Sequence, residues 1–159
     1  MIPRRILFCT DFSENSEPPR RLAAEYATVF RANLAIVHVV ESWAGFPTYE
    51  FRVPVDLHEL AQNIQESAKT DLDEMAKGFP AEVPEVTTHC KIGAPAQEIV
   101  KLAAELEADL IIMGTHGWTG FKHLLLGSVA ENVLRLANCP VLVVKSPGAS
   151  AHHAQEVVK

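Results

Sequence analysis

Residues 114–129 read GTHGWTGFKHLLLGSV, directly after ADLIIM at residues 108–113. ADLIIM is an apolar run with the character of a buried parallel strand. Gly114 is followed after two residues by Gly117 and after nine more by Gly127, where Ser128 opens a helical pattern. A glycine at the C-terminal end of a parallel strand lets a ligand approach the main chain. A helix start shortly afterwards supplies free N–H groups and the positive end of a dipole. Together they form a cradle suited to the phosphates of a nucleotide.

Working outward, strand and helix patterns alternate. Arg5–Cys9 reads as a first strand. A helix begins at Ser16 or Glu17, with Pro18 and Pro19 tolerated only in its first turn. LAIVHVV, residues 34–40, is a central strand buried on both faces. Leu57, Leu60, Ile64, Leu72 and Met75 recur at helical spacing until Gly78. Residues 83–92 read as a third strand, and Gly93-Ala94-Pro95 opens the next helix, with Ile99, Leu102, Ala103 and Leu106 on its apolar face. A fourth strand at residues 110–113, a helix from Ser128 stopping at Asn138 and a fifth strand at Val141–Val144 complete the pattern. Such alternation predicts an α/β protein with a doubly wound parallel sheet and right-handed crossovers. Ligands on these sheets bind outside the carboxyl ends of strands where strand order reverses, so Asp11 and the Gly114 loop are expected to converge.

Asp11 can accept hydrogen bonds from ribose hydroxyls or hold a metal through water; an Asx-turn or a helix cap is the alternative. Ser128-Val129-Ala130-Glu131 fits a capping box, with Ser128 at the N-cap and Glu131 at N3. His116 lies beside the expected phosphates and has a pKa suited to acid/base work, yet no neighbouring carboxylate orients it, which favours a loop-filling or phosphate-contacting role. His38 reads as a hydrogen-bonded core histidine. Lys122, His123 and the pair His152-His153 read as solvated, and Trp43, Phe46, Tyr49 and Phe51 as cover for the core. Neither the Walker A pattern nor GxGxxG occurs.

The chain has 159 residues, which predicts one domain over residues 1–146 and a flexible polar tail at 147–159. A net charge of −6 without a Lys/Arg cluster argues against nucleic acid as a partner. No apolar run approaches the ~20 residues that span a bilayer, and the N-terminal run is too short for a signal peptide. Cys9, Cys90 and Cys139 lack CxxC spacing, which favours three small apolar side chains in a reducing cytoplasm. The run Cys139-Pro140-Val141-Leu142-Val143-Val144-Lys145 is apolar but expected at a sheet edge. A homodimer pairing residues 141–145 with their symmetry mates would satisfy that edge; cover by residues 146–159 is the alternative.

From Arg5 to Lys145 the sequence resembles the universal stress protein family. The resemblance rests on RILFCTDFSE, LAIVHVVE, KIGAPAQEIVKLA and ADLIIMGTHGWTGFKHLLLGSVAENVLRLANCPVLVVK. The ATP-binding branch of that family carries G-x2-G-x9-G-[ST], matched by Gly114, Gly117, Gly127 and Ser128. The resemblance implies a Rossmann-like, five-stranded sheet in the order 3-2-1-4-5, related to adenine nucleotide alpha hydrolases. It also implies ATP as ligand, with Mg or Mn held mainly by the phosphates. It puts Asp11 on the ribose hydroxyls with Gly114 adjoining, and Cys9, Val39 (through its main chain) and Met113 by the adenine. Thr115, His116 and Gly117 would line the phosphate loop, and Gly127, Ser128 and Val129 would hold phosphates through main-chain N–H groups. Trp118 stands where the family often has a basic or polar residue. The implied function is nucleotide-dependent stress signalling through a homodimer. A slow ATPase, a nucleotide-independent interaction module and an FMN carrier are the competing readings.

Overall fold

The computed structural model describes residues 2–41, 57–115 and 126–145. His116, Gly117, Trp118, Lys122, His123, the aromatic group at residues 43–51 and the tail at 147–159 lie outside the described residues. Strands β1 (Arg5–Cys9), β2 (Asn33–Glu41), β3 (Val86–Gly93), β4 (Leu110–Gly114) and β5 (Val141–Val144) form a sheet in the order β3-β2-β1-β4-β5. Every pairing is parallel. Among the described residues the helices are α1 (Glu17–Phe30), α2 (Leu57–Lys77), α3 (Pro95–Glu105) and α4 (Ser128–Leu136), with a 3-10 turn at Glu14–Ser16.

Alternation along the strands divides the core in two. Ile6, Phe8, Leu34, Ile36 and Ile112 face α1 and α2, where Ala23, Ala27 and Leu72 close on them. Leu7, Cys9, Val37, Ile111 and Met113 face the other way, against Ile99, Leu102 and Ala103 of α3 and Ala130 and Val133 of α4. Burial on both faces is what the near-continuous apolar strands require. Asp109 ties the sheet's lower end together, its Oδ2 accepting the N–H groups of Arg4 at 2.8 Å and Arg5 at 2.9 Å.

The expected helix starts are met at Glu17, with Pro18 and Pro19 in the first turn, and at Pro95. Strand ends at β2, β3 and β4 extend by one residue, and three further boundaries differ. The third strand begins at Val86 rather than Val83, because Pro84 has no N–H for a ladder and Val83 instead closes a turn onto the carbonyl of Pro80 at 3.1 Å. The N-cap of α4 is Gly127, not Ser128, and no side chain caps that helix. The helix ends at Leu136 with Ala137 as its C-cap, one residue short of the expected last helical residue, Ala137.

Two helix ends adopt the left-handed conformation without glycine. Arg31 has φ 50° and Glu107 φ 48°. Behind them Ala32 donates to Ala27 at 2.9 Å and Ala108 to Ala103 at 2.8 Å, the closing bond of a Schellman motif. A side chain in this region costs ~1–2 kcal/mol, partly offset by the greater freedom glycine has when unfolded. Arg31→Gly is therefore expected to raise stability by ~0.5–1 kcal/mol in denaturant titration. An unchanged or lower midpoint would show that the Arg31 side chain contributes more than its strain removes.

Candidate functional site

A cavity of about 410 Å³ opens at the carboxyl ends of β1, β2 and β4. Strand order explains its position. From β1 the chain crosses to β2 on one side, and β4 lies on the other. The connections above β1 therefore diverge and leave a crevice.

The register sharpens this. Cys9, the last residue of β1, pairs with Val37, and β2 runs on to Glu41. The N–H of Thr10 donates to the carbonyl of Val37 at 3.0 Å. Strand alternation aims the main chain of Val39 in the same direction, past the end of β1 and into the cavity. On the other flank, Thr115 donates to Val144 at 3.1 Å, so the odd residues of β4 bond to β5. The main chain of Gly114 consequently faces the β1 side. Cys9 and Asp11, Val39, Met113, Gly114 and Thr115 all line the cavity, as do Gly127, Ser128 and Val129. The structure thus brings together every sequence-predicted site residue that it describes; His116 and Gly117 are the two outside its description.

Gly127 is bound into the fold. Its N–H donates to the carbonyl of Thr115 at 2.7 Å and its carbonyl accepts from Glu131 at 2.9 Å. Its donor is thus engaged, although the family resemblance implies a phosphate contact there. The N–H groups of Ser128, Val129 and Ala130 precede the first intrahelical donor, Glu131, and point out of the helix start. Thr115, brought to Gly127 by that 2.7 Å bond, fixes the helix start against the end of β4.

The loop after β1 is heavily bonded. Oδ1 of Asp11 accepts from Ser13 N at 3.1 Å, Ser13 Oγ at 2.6 Å and Ser16 Oγ at 2.5 Å. The Asx-turn expected as the alternative reading of Asp11 is thus present, Oδ2 of the same carboxylate is buried, and Asp11 is among the residues that line the cavity. Phe12 follows with φ 62°, a left-handed conformation that costs a bulky residue ~1–2 kcal/mol. Its N–H is held by Thr10 Oγ1 at 3.0 Å. His38 is hydrogen-bonded, as expected, but it lines the cavity as well. Thr10, Ser16, His38, Glu41, Pro95 and Ile99 are lining residues that sequence reasoning did not select. Only the turn pair Gly93 and Pro95, at the carboxyl end of β3, signalled any of them.

Chemically the cavity has an apolar side, Val37, Val39, Ile99 and Met113, and a polar side, the Asp11 loop and the start of α4. Burial, with Cys139 adding to the effect, pushes the thiol of Cys9 far above the ordinary range, so it is a neutral wall rather than a nucleophile. Two carboxylates, Asp11 and Glu41, line the cavity, with no Lys or Arg among the described lining residues. The described residues contain no cluster of three His, Cys, Asp or Glu able to hold a metal ion. No described helix is long and apolar enough to cross a membrane.

Residues 3–145 match the sequence profile of the universal stress protein family. The chain is similar to Universal stress protein MJ0577 of Methanocaldococcus jannaschii, 33% identical over 153 residues that cover 89% of this chain and 94% of that protein. A solved structure of MJ0577 superposes with a TM-score of 0.76 at 35% identity, covering 92% of this chain and 98% of the other. A universal stress protein from Archaeoglobus fulgidus, solved in complex with dAMP, gives a TM-score of 0.61 at 26% identity, with 91% and 100% covered. Another universal stress protein, solved in complex with cAMP, gives a TM-score of 0.60 at 27% identity, with 91% of this chain and 98% of that one covered. The profile match across nearly the whole chain, joined to the sheet order and the cavity beside β1, means that the chain belongs to the universal stress protein family.

Proposed function

We propose that the protein binds ATP with Mg or Mn in the cavity beside β1 and acts in the cytoplasm as a nucleotide-dependent stress-response module, working as a homodimer. One observation carries the reading: apolar side chains, Asp11 and the start of α4 all line a single cavity. Adenine suits the apolar side, where the main chain of Val39 offers a donor and an acceptor to its edge. Ribose suits Asp11 with Gly114 adjoining. The phosphates suit the helix-start N–H groups of Ser128 and Val129, with Thr115, His116 and Gly117 proposed to contact them as well. Solved relatives in complex with dAMP and cAMP add weight to an adenine nucleotide.

The donor set also bears on the metal. Asp11 and Glu41 are negative, and the described lining carries no cation to balance a polyphosphate. Helix-start N–H groups offset only part of that charge. A divalent ion held mainly by the phosphates fits this site, and it would neutralise charge there.

Calorimetry with Mg-ATP is the direct test. Asp11→Ala is expected to weaken ATP by about tenfold to a hundredfold, the loss of hydrogen bonds to a charged acceptor, while affecting tripolyphosphate less. Asp11→Asn keeps an acceptor for Ser13 and Ser16 and serves as the control for the loop. Equal losses for ATP and tripolyphosphate would reject the ribose assignment, and a wild-type protein that ignores ATP would reject the function.

Turnover is expected to be slow, far below the ~10 s⁻¹ typical of enzymes. Phosphoryl transfer needs strong charge neutralisation and a group that orients the nucleophile, and His116 and Lys122 are the sequence's candidates for these tasks. A phosphate-release assay that gives several turnovers per second, lost in His116→Ala, would make the protein an enzyme.

The dimer is proposed through the outer edge of β5, which pairs with no other strand among the described residues. The carbonyls of Pro140 and Val144 accept from Ile111 and Thr115, so even-numbered residues of β5 face β4. Val141 and Val143 therefore turn their N–H and C=O groups outward, to an edge that antiparallel pairing with a second copy would satisfy. Val143→Pro deletes an outward donor and is expected to shift the protein to monomer in light scattering after gel filtration. A wild type that is monomeric at micromolar concentration, or a Val143→Pro variant that stays dimeric, would rule out this interface.

A further inference from the structure

His38 holds both residues that flank Asp11. Its Nδ1 lies 3.0 Å from the carbonyl oxygen of Thr10. A carbonyl can only accept, so Nδ1 carries the proton and donates. Its ring packs against that of Phe12, with centroids 4.5 Å apart and planes inclined by 36°. Thr10 is thereby fixed at both main-chain groups by β2: its N–H by Val37 and its carbonyl by His38. Phe12, held in the left-handed conformation, meets Thr10 Oγ1 through its N–H and His38 through its ring.

We propose that His38 is a positioning residue for the Asp11 carboxylate, setting the loop after β1 so that this carboxylate meets the ribose of the nucleotide. The proposal rests on the function proposed above and adds to it a residue acting through others. Asp11 sits between two gripped neighbours, and its own Oδ1 bonds to Ser13 and Ser16 set its rotamer only if the loop they belong to is fixed. The grip comes from β2, the strand whose main chain is proposed to read the base. One strand would therefore control base and ribose recognition together.

The test separates the hydrogen bond from the stack. His38→Phe keeps an aromatic ring against Phe12 and removes the donor. His38→Asn restores an N–H near the Nδ1 position and removes the ring. Affinities are measured by calorimetry for ATP, for ATP lacking both ribose hydroxyls, and for tripolyphosphate, all with Mg. His38→Phe is expected to lose about fivefold for ATP, the worth of one part-buried hydrogen bond, and to change tripolyphosphate by less than about twofold. The preference for ATP over its ribose-stripped analogue should shrink by the same factor, and His38→Asn should recover most of it. In the nucleotide-free protein, amide exchange at Phe12 and Ser13 should be faster in His38→Phe than in wild type or His38→Asn.

An unchanged ribose preference in a folded His38→Phe protein overturns the proposal. So does an equal loss for ATP and tripolyphosphate, which would mean general loosening. A wild type that binds no ATP overturns the nucleotide reading instead. The exchange measurement then decides the positioning role alone, and unaltered exchange at Phe12 and Ser13 would end it.

Discussion

β1 is shorter at its carboxyl end than the two strands that flank it, and the site depends on that mismatch. β1 stops at Cys9, while β2 continues to Glu41. Main-chain groups on β2 that would face a longer β1 face a cavity instead. Right-handed crossovers then send α1 and α2 to one side of the sheet and α3 and α4 to the other, so that no helix crosses the gap. The two halves of the core follow from the same arrangement: Phe8 and Ile112 close one face while Leu7 and Ile111 close the other. Lengthening β1 would pair the free edge of Val39 and fill the cavity, with little change to either half of the core.

Much of this architecture was legible in the sequence because it is set by local pattern. Strands buried on both faces must be apolar throughout, and helices covering them must show one apolar stripe; both signals are strong in LAIVHVV and in Ile99, Leu102 and Ala103. One boundary that differed was decided by a single bond to a distant residue. Ser128 and Gly127 are both acceptable N-caps by residue type. The choice falls on Gly127 because its N–H reaches Thr115 across the loop. The third strand lost its first residues to Pro84, a local signal that the apolar character of Val83 outweighed.

For the candidate site, the glycines, Asp11 and the helix start were readable because each carries a chemical requirement of its own. Ser16 and His38 were not. Their part in the site comes from bonds to Asp11 and Thr10, and those bonds exist only once α1 and β2 have docked beside β1. Sequence spacing contains no trace of a histidine Nδ1 aimed at a carbonyl 28 positions away. The left-handed Phe12 is likewise invisible, since nothing about phenylalanine favours that conformation. It persists because Thr10 Oγ1 and the His38 ring hold it from two directions.

Strain at Phe12 has a structural consequence beyond its cost. If Phe12 relaxed to φ below zero, the chain would leave Thr10 in a different direction, and Ser13 and Ser16 would no longer converge on one oxygen of Asp11. The carboxylate's orientation is therefore tied to the strained residue next to it, and the strained residue is tied to β2. Loop and strand form one unit: the 3-10 turn Glu14–Ser16 brings Ser16 under Asp11, and α1 begins at the next residue. A change in the loop must then be felt at the first turn of α1, where Glu17 holds Arg20 at 2.7 Å and the guanidinium of Arg20 lies 5.9 Å from the centre of the Phe79 ring. Contacts thus run from the Asp11 loop through Ser16, Glu17 and Arg20 to Phe79, in the core between the sheet and α1 and α2.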